Sequence, residues 1–350
     1  MGMSDPLAHV PLRLHHLTAR GISAAWEIAT GHLPHLVIGG APVLHSAPWR
    51  DEAAIQGNVR IPPVDRRLGG TFVCAPFGRD DVDAGPPHGR PANGRWCVIR
   101  AAPGAITASR TFPRGTVTAR IVLRDGHPVL YQTHVLALSA PCTFAHHPMF
   151  RFGPGARLSM PTPRRAVTFD PSDPGAERFL PRQSIGGFAL KGADGRTLDL
   201  RDPPDAPCED FAALVDGGAG IGWTALARTD EGDTILLLRR REVLPLTCLW
   251  WSNGGRTGAP WNGRHRGVIG IEHAICAGAD GLAAALAHRG AVAEAGVPTA
   301  LPPGRHVIAH AILRLPGVHE VRGVEAGPDE LEIATDGGPL TVPFDTGHLA

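Results

Sequence analysis

From Thr116 the chain reads TVTARIVLR, then Asp125-Gly126, then a second extended run, PVLYQTHVLAL. Val117, Ala119, Ile121 and Leu123 alternate with mostly polar neighbours, which is the two-residue period of a strand with one buried face. An Asp-Gly step between two such runs marks a hairpin, because the tight turn needs residues that tolerate positive φ. The same pattern recurs in FALKGADGRTLDL around Asp194-Gly195, in TALARTDEGDTILLLRR around Glu231-Gly232, and in DELEIATDGGPLTVPF around Asp336-Gly337. Four hairpins from the middle of the chain to its end favour antiparallel sheets over βαβ units, whose parallel strands need long crossovers. The expected fold class is all-β, a large antiparallel β-sandwich.

One helical element is expected beside the strands. Asp280 stands where an N-cap belongs, and the Ala- and Leu-rich GLAAALAHRGAVAEAG follows it, so a short helical insertion is predicted near 280–296. Gly (44) and Pro (34) are scattered between hydrophobic segments, as turns in a strand-rich protein require. No repeat is visible, and the proline-rich RDPPDAPCEDF from Arg201 is too short to act as a linker between domains. Residues 1–350 are therefore read as a single β-sandwich domain.

Charge narrows the partners. Lys plus Arg (34) nearly equals Asp plus Glu (33), so no overall field gathers nucleic acid or an anionic membrane. A small, weakly charged molecule is the expected partner, with the protein a monomer or homodimer. The six cysteines (Cys74, Cys97, Cys142, Cys208, Cys248 and Cys276) show no CxxC pairing or even spacing, and read as free thiols. The opening MGMSDPLAHVPLRLHH lacks a charged start leading into an apolar core, and no run of about 18 apolar residues exists. A cytoplasmic location is expected.

Three polar clusters lie among Gly and aromatic residues. In LGGTFVCAPFGRDDVDAGPPHGRPANGRW, His88 follows Pro86-Pro87 and precedes Gly89, on a loop with room for a ligand near the backbone. In CTFAHHPMFRF, His146 and His147 point to opposite faces if the segment is a strand, so only one can face a given pocket. In LWWSNGGRTGAPWNGRHRGVIGIEHA, Trp250, Trp251 and Trp261 stand near Asn253, Arg256, Asn262 and Arg264. Such a mixture suits a sugar, whose C–H patches stack on rings while its hydroxyls meet amides and guanidinium groups. Glu272 follows in the apolar VIGIEHA, where a carboxyl must be paired, exposed at a strand end, or working.

In order and spacing, Gly69-Gly70, Pro76-Phe77-Gly78, His88-Gly89 with Trp96, His147-Pro148-Met149-Phe150 and Glu272 resemble the aldose 1-epimerase (galactose mutarotase-like) superfamily, in particular the branch that includes glucose-6-phosphate 1-epimerases. The likeness runs from about Ala41 to Ala274. It implies a supersandwich fold, no cofactor and no metal, and acid–base interconversion of sugar anomers. It makes Glu272 the base on the anomeric hydroxyl, His147 (three residues before Phe150) the acid at the ring oxygen, with His146 in its place if a bulge shifts the pleat, and His88 the group that orients the sugar. His147 and Glu272 are then expected to face each other across a sugar-sized gap. Two departures bear on substrate. The arginine that the resemblance places four residues after His88 is Ala92 here, and the arginine before the Gly-Gly pair stands one residue early, as Arg67. A neutral sugar is therefore favoured over a sugar phosphate. The further acidic residue that contacts hydroxyls is assigned to Asp210, with Asp216 second.

Two other readings use the same residues. A carbohydrate-binding protein on this scaffold would use Trp251, Trp261 and Asn262 and give Glu272 no catalytic duty. A metal-dependent isomerase or hydrolase would gather His88, His146 and His147 with a carboxylate.

Overall fold

The computed structural model describes residues 14–172, 175–216 and 220–350. The stretch 1–13, on which most of the leader reading rests, lies outside them. All four sequence-predicted hairpins form: Gly115–Val122 pairs with Val129–Leu138, Ala189–Lys191 with Thr197–Asp199, Ile221–Arg228 with Asp233–Arg240, and Glu330–Thr335 with Gly338–Pro343.

Two eight-stranded antiparallel sheets dominate. One runs in the order Ser184–Ile185, Arg165–Thr168, Glu209–Val215, Leu246–Ser252, Val268–Ile275, Phe144–His146, Val73–Cys74, with Met149–Arg151 also on Val268–Ile275. The other runs Arg157–Ser159, Ile221–Arg228, Asp233–Arg240, Gly304–Pro316, Val129–Leu138, Gly115–Val122, Ala105–Phe112, Cys97–Ala102. A four-stranded sheet precedes them, from Leu14–Ala19 to Ala41–Pro42, and a three-stranded sheet from Val321–Ala326 to Gly338–Pro343 follows.

The first large sheet is covered on both faces, and this places the site. From Val268–Ile275, the side chains of Ile269, Ile271 and Ile275 join Leu249, Trp251, Leu236 and Ile312 in a core between the two sheets. Val268 and Ala274 join Leu246, Cys248, Trp250, Phe72 and Trp261 in a second cluster. Every position of the strand is buried, so its sequence is a continuous run rather than an alternation. Strand parity sets Glu272 and Gly270 on the face of the second cluster and His273 on the face between the sheets.

The helical insertion is present but divided. A 3-10 turn at Gly278–Asp280 leads into α-helices Leu282–Leu286 and Ala291–Glu294, separated where His288 (φ 48°) and Gly290 (φ 94°) take left-handed backbone. Gly281, not Asp280, occupies the cap position. The Asp280 carboxylate instead accepts from Arg182 at 2.8 Å. The six cysteines carry free thiols.

Candidate active site

Glu272 rises from the centre of its strand. Trp250 stands opposite Gly270 on the neighbouring strand, and the missing side chain at 270 leaves room for the Glu272 carboxyl, which a Cβ there would approach to 2.8 Å. His147 directly follows Phe144–His146. Its backbone N–H donates to the Phe72 carbonyl at 2.9 Å, and its Nε2 lies 3.1 Å from Glu272 Oε1. His146 points the other way, with its Nε2 3.0 Å from His134 Nδ1 and its ring stacked 4.3 Å from His310. The pleat therefore divides the two adjacent imidazoles between a cavity and the core.

His88 reaches the pair from a turn that only glycine can complete. His88 has φ 61° and Gly89 φ 76°, and a Cβ on Gly89 would come 2.1 Å from the Ala75 carbonyl oxygen. The His88 ring meets the His147 ring edge-on at 5.0 Å, and its Nδ1 is 3.2 Å from Cys74 Sγ.

Burial governs the charge on this floor. It pushes the Glu272 carboxyl well above the usual carboxylate range, with the Cys276 sulfur adding to the rise. It pushes His147 well below the usual imidazole value, helped by neighbouring His88. His88 is lowered to about 4 by burial and then by Arg256. Glu272 and His147 thus rest as an uncharged pair that holds one proton between them.

The floor opens into a cavity of about 220 Å³ walled by Trp250, Trp261, Phe77 and Phe211 and by polar residues including Asp65, Glu209, Asp210 and Arg256. Arg256 lies over the Trp261 ring at 4.6 Å and pairs with Glu209 at 3.1 Å. Asp210 accepts from the Arg178 backbone N–H at 2.7 Å and from its Nε at 2.5 Å. Rings interleaved with fixed polar groups give a surface suited to a polyhydroxylated ligand with apolar ring faces.

No protein-family model and no curated protein matches the chain. Solved structures do. The chain is similar to a candidate aldose 1-epimerase of Escherichia coli K12 at 13% identity, over 87% of this chain and 99% of that one, with a TM-score of 0.59. A galactose mutarotase related enzyme of Lactobacillus acidophilus aligns at 12% identity over 89% and 100%, with a TM-score of 0.56. An aldose epimerase homologue of C. elegans aligns at 13% identity over 87% and 99%, with a TM-score of 0.53. The chain has the galactose mutarotase-like fold.

On this mutarotase-like fold the structure brings His88, His147, Glu272, Asp210, Arg256 and Trp261 to one cavity. It does not bring four others. Trp251 belongs to the opposite face of its strand and packs edge-on against Phe152 at 5.3 Å. Asn253 ties a loop, donating to the Ala206 carbonyl at 2.9 Å and accepting from the Gly267 N–H at 3.0 Å. Asn262 is exposed in a turn at φ 47°. Arg67 is buried 3.3 Å from Glu27. Asp216, the second acidic candidate, pairs with Arg239. The expected sugar-sized gap is absent, because His147 and Glu272 touch.

Glu209 and Asp65 line the cavity without having been singled out in the sequence, and of the adjacent tryptophans in the aromatic cluster it is Trp250, not Trp251, that lines it. Strand parity lets only one of the two adjacent tryptophans share a face with Glu272, and the pairing of Leu246–Ser252 with Val268–Ile275 selects Trp250. Among the described residues, no group of three or more His, Cys, Asp or Glu is placed to hold a metal ion, and the set His88, His146, His147 is split by the sheet. Among them also, no helix is long and apolar enough to cross a membrane.

Proposed function

We propose that the protein is an aldose 1-epimerase that interconverts the α and β anomers of a neutral aldose, with Glu272 and His147 as the proton-exchanging pair. The observation that carries this is the 3.1 Å contact between His147 Nε2 and Glu272 Oε1 on the floor of the aromatic-walled cavity, with His88 beside it. Anomer exchange removes a proton from the anomeric hydroxyl and delivers one to the ring oxygen; the ring opens, C1 rotates, and the ring closes on its other face. In this reading the sugar hydroxyls solvate the Glu272 carboxyl and let the shared proton pass to His147. Glu272 then takes the anomeric proton while His147 supplies the ring oxygen, each positioned group contributing roughly 10²- to 10⁴-fold.

His88 orients the sugar, Trp250 and Trp261 meet its C–H faces, and no cofactor enters the reaction as proposed. A neutral substrate fits the walls. Position 92 is a fully buried alanine, the two guanidinium groups that line the cavity among the described residues are already paired, Arg256 with Glu209 at 3.1 Å and Arg79 with Asp81 at 3.3 Å, and Asp65 and Asp210 stand nearby. These carboxyl groups disfavour a dianionic phosphate.

Anomer-resolved NMR exchange on a panel of free aldoses and their 6-phosphates tests the reading. At least one free aldose is expected to exchange faster with the protein present, and faster than its phosphate does. Unchanged exchange for every sugar refutes the epimerase.

A further inference from the structure

We propose that Phe72 is a positioning residue that holds the His147 imidazole in its working plane by stacking, with His32 as the fixed back of the stack. The kinetic half of this inference rests on the epimerase reading; the geometric half does not. Three rings lie nearly parallel. Phe72 is 4.4 Å from His32 at 18° on one face and 4.5 Å from His147 at 17° on the other. His32 is held at the far end between two backbone carbonyls, its Nδ1 3.1 Å from the Arg67 oxygen and its Nε2 3.0 Å from that of Ala92; burial keeps the ring neutral, so its single N–H donates to one of them. At the near end, the His147 N–H bond to the Phe72 carbonyl ties the two backbones together.

What makes the stack consequential is a missing partner. A working histidine is commonly held by a hydrogen bond from its second ring nitrogen, which fixes both the tautomer and the ring angle. Among the described residues, His147 Nδ1 is buried with no hydrogen-bond partner on another residue, and only the residue's own backbone acts on the ring. The polar hold from elsewhere in the fold is the single contact from Nε2 to Glu272. The other aromatic neighbours of His147, His88 at 5.0 Å and Trp250 at 5.6 Å, meet it edge-on or steeply tilted. Phe72 alone among these aromatic contacts presents a parallel face. Such a face limits ring tilt, and it attracts the imidazolium that forms when His147 carries the shared proton.

The test compares Phe72→Leu, which keeps an apolar side chain but removes the face, with Phe72→Tyr, which restores it. Two readouts are used. In NMR of ¹⁵N-histidine-labelled protein, Phe72→Leu is expected to move the ring protons of His147 downfield as the ring current is lost, and Phe72→Tyr to leave them near wild type. In anomer exchange, Phe72→Leu is expected to lower kcat about tenfold with KM little changed, as a small misplacement of a reacting group does. The acid limb of its pH profile should also move to lower pH, since the imidazolium loses an attractive neighbour.

Unshifted His147 resonances and wild-type kcat in folded Phe72→Leu overturn the proposal. If wild type exchanges no sugar, the epimerase reading fails, and the resonances still decide whether Phe72 holds the ring. Should Phe72→Leu not fold, His32→Gln, which removes the back of the stack, is expected to reproduce both effects in weaker form; wild-type behaviour there counts against the proposal.

Discussion

Gly270→Ala separates the site from the fold with a single methyl group. The position lies within a strand, and an alanine Cβ would stand 2.8 Å from Glu272 Oε1 and 3.2 Å from Trp250 Cε3. Ordinary contact begins near 3.4 Å, so the carboxyl oxygen must retreat by about 0.6 Å. Trp250 yields less readily, because its indole N–H is bonded to Glu209. The carboxyl is the far end of a flexible side chain, and its movement stretches the 3.1 Å contact with His147 toward the limit of a hydrogen bond. A misplacement of about 1 Å can cost roughly 10²-fold, so this smaller one is expected to lower kcat by about 10- to 50-fold. Stability is expected to change little or fall modestly, since the gain of about 0.4–1 kcal/mol through the unfolded chain on replacing glycine is opposed by the 3.2 Å contact with the Trp250 ring that Glu209 holds. Anomer-exchange NMR gives kcat, and thermal unfolding by circular dichroism gives stability. Wild-type kcat in a folded Gly270→Ala protein, or a collapse of the fold itself, would refute the reasoning.

Adjacent tryptophans should behave as opposites: Trp251→Ala, on the core face, is expected to cost about 3–5 kcal/mol in urea unfolding, whereas Trp250→Ala should mainly raise KM. Acid should weaken the protein through its core histidines. His134, His146, His273 and His310 are held below the ordinary imidazole value chiefly by burial, so below about pH 6.5 the unfolded chain binds protons that the native state refuses. Stability is then complete above that pH and declines below it, by roughly 1.4 kcal/mol per pH unit for each histidine. Glu272, raised instead of lowered, has the opposite sign and offsets about one of them over the range where only the native state keeps its proton. A flat unfolding free energy between pH 7.5 and 5.5, followed in urea, would contradict this.

The hairpins were legible because period and turn chemistry are both local: Val117 to Leu123 and Asp125-Gly126 lie within one short window. His147 was legible from its spacing to Phe150 and from the alternation that sends His146 away. Trp251 shows where local reading stops. Which of Trp250 and Trp251 shares a face with Glu272 depends on the pairing of Leu246–Ser252 with Val268–Ile275, a register that neither segment states alone. Arg67 shows a different limit. Its place beside the Gly-Gly pair suggested a ligand, but Glu27, forty residues earlier in the chain, takes the guanidinium. The break in the helical insertion depends on the left-handed backbone at His288 and Gly290, which Ala-rich helix propensity conceals.

The central claim is that His147 and Glu272 act as one proton-holding unit, and a double-mutant cycle on anomer exchange tests it most directly. With His147→Asn, Glu272→Gln and the two combined, each single change is expected to abolish nearly as much of kcat as the double, because a unit with one member removed has already failed. Losses that multiply independently, or a single variant that keeps most of the rate, would contradict the account.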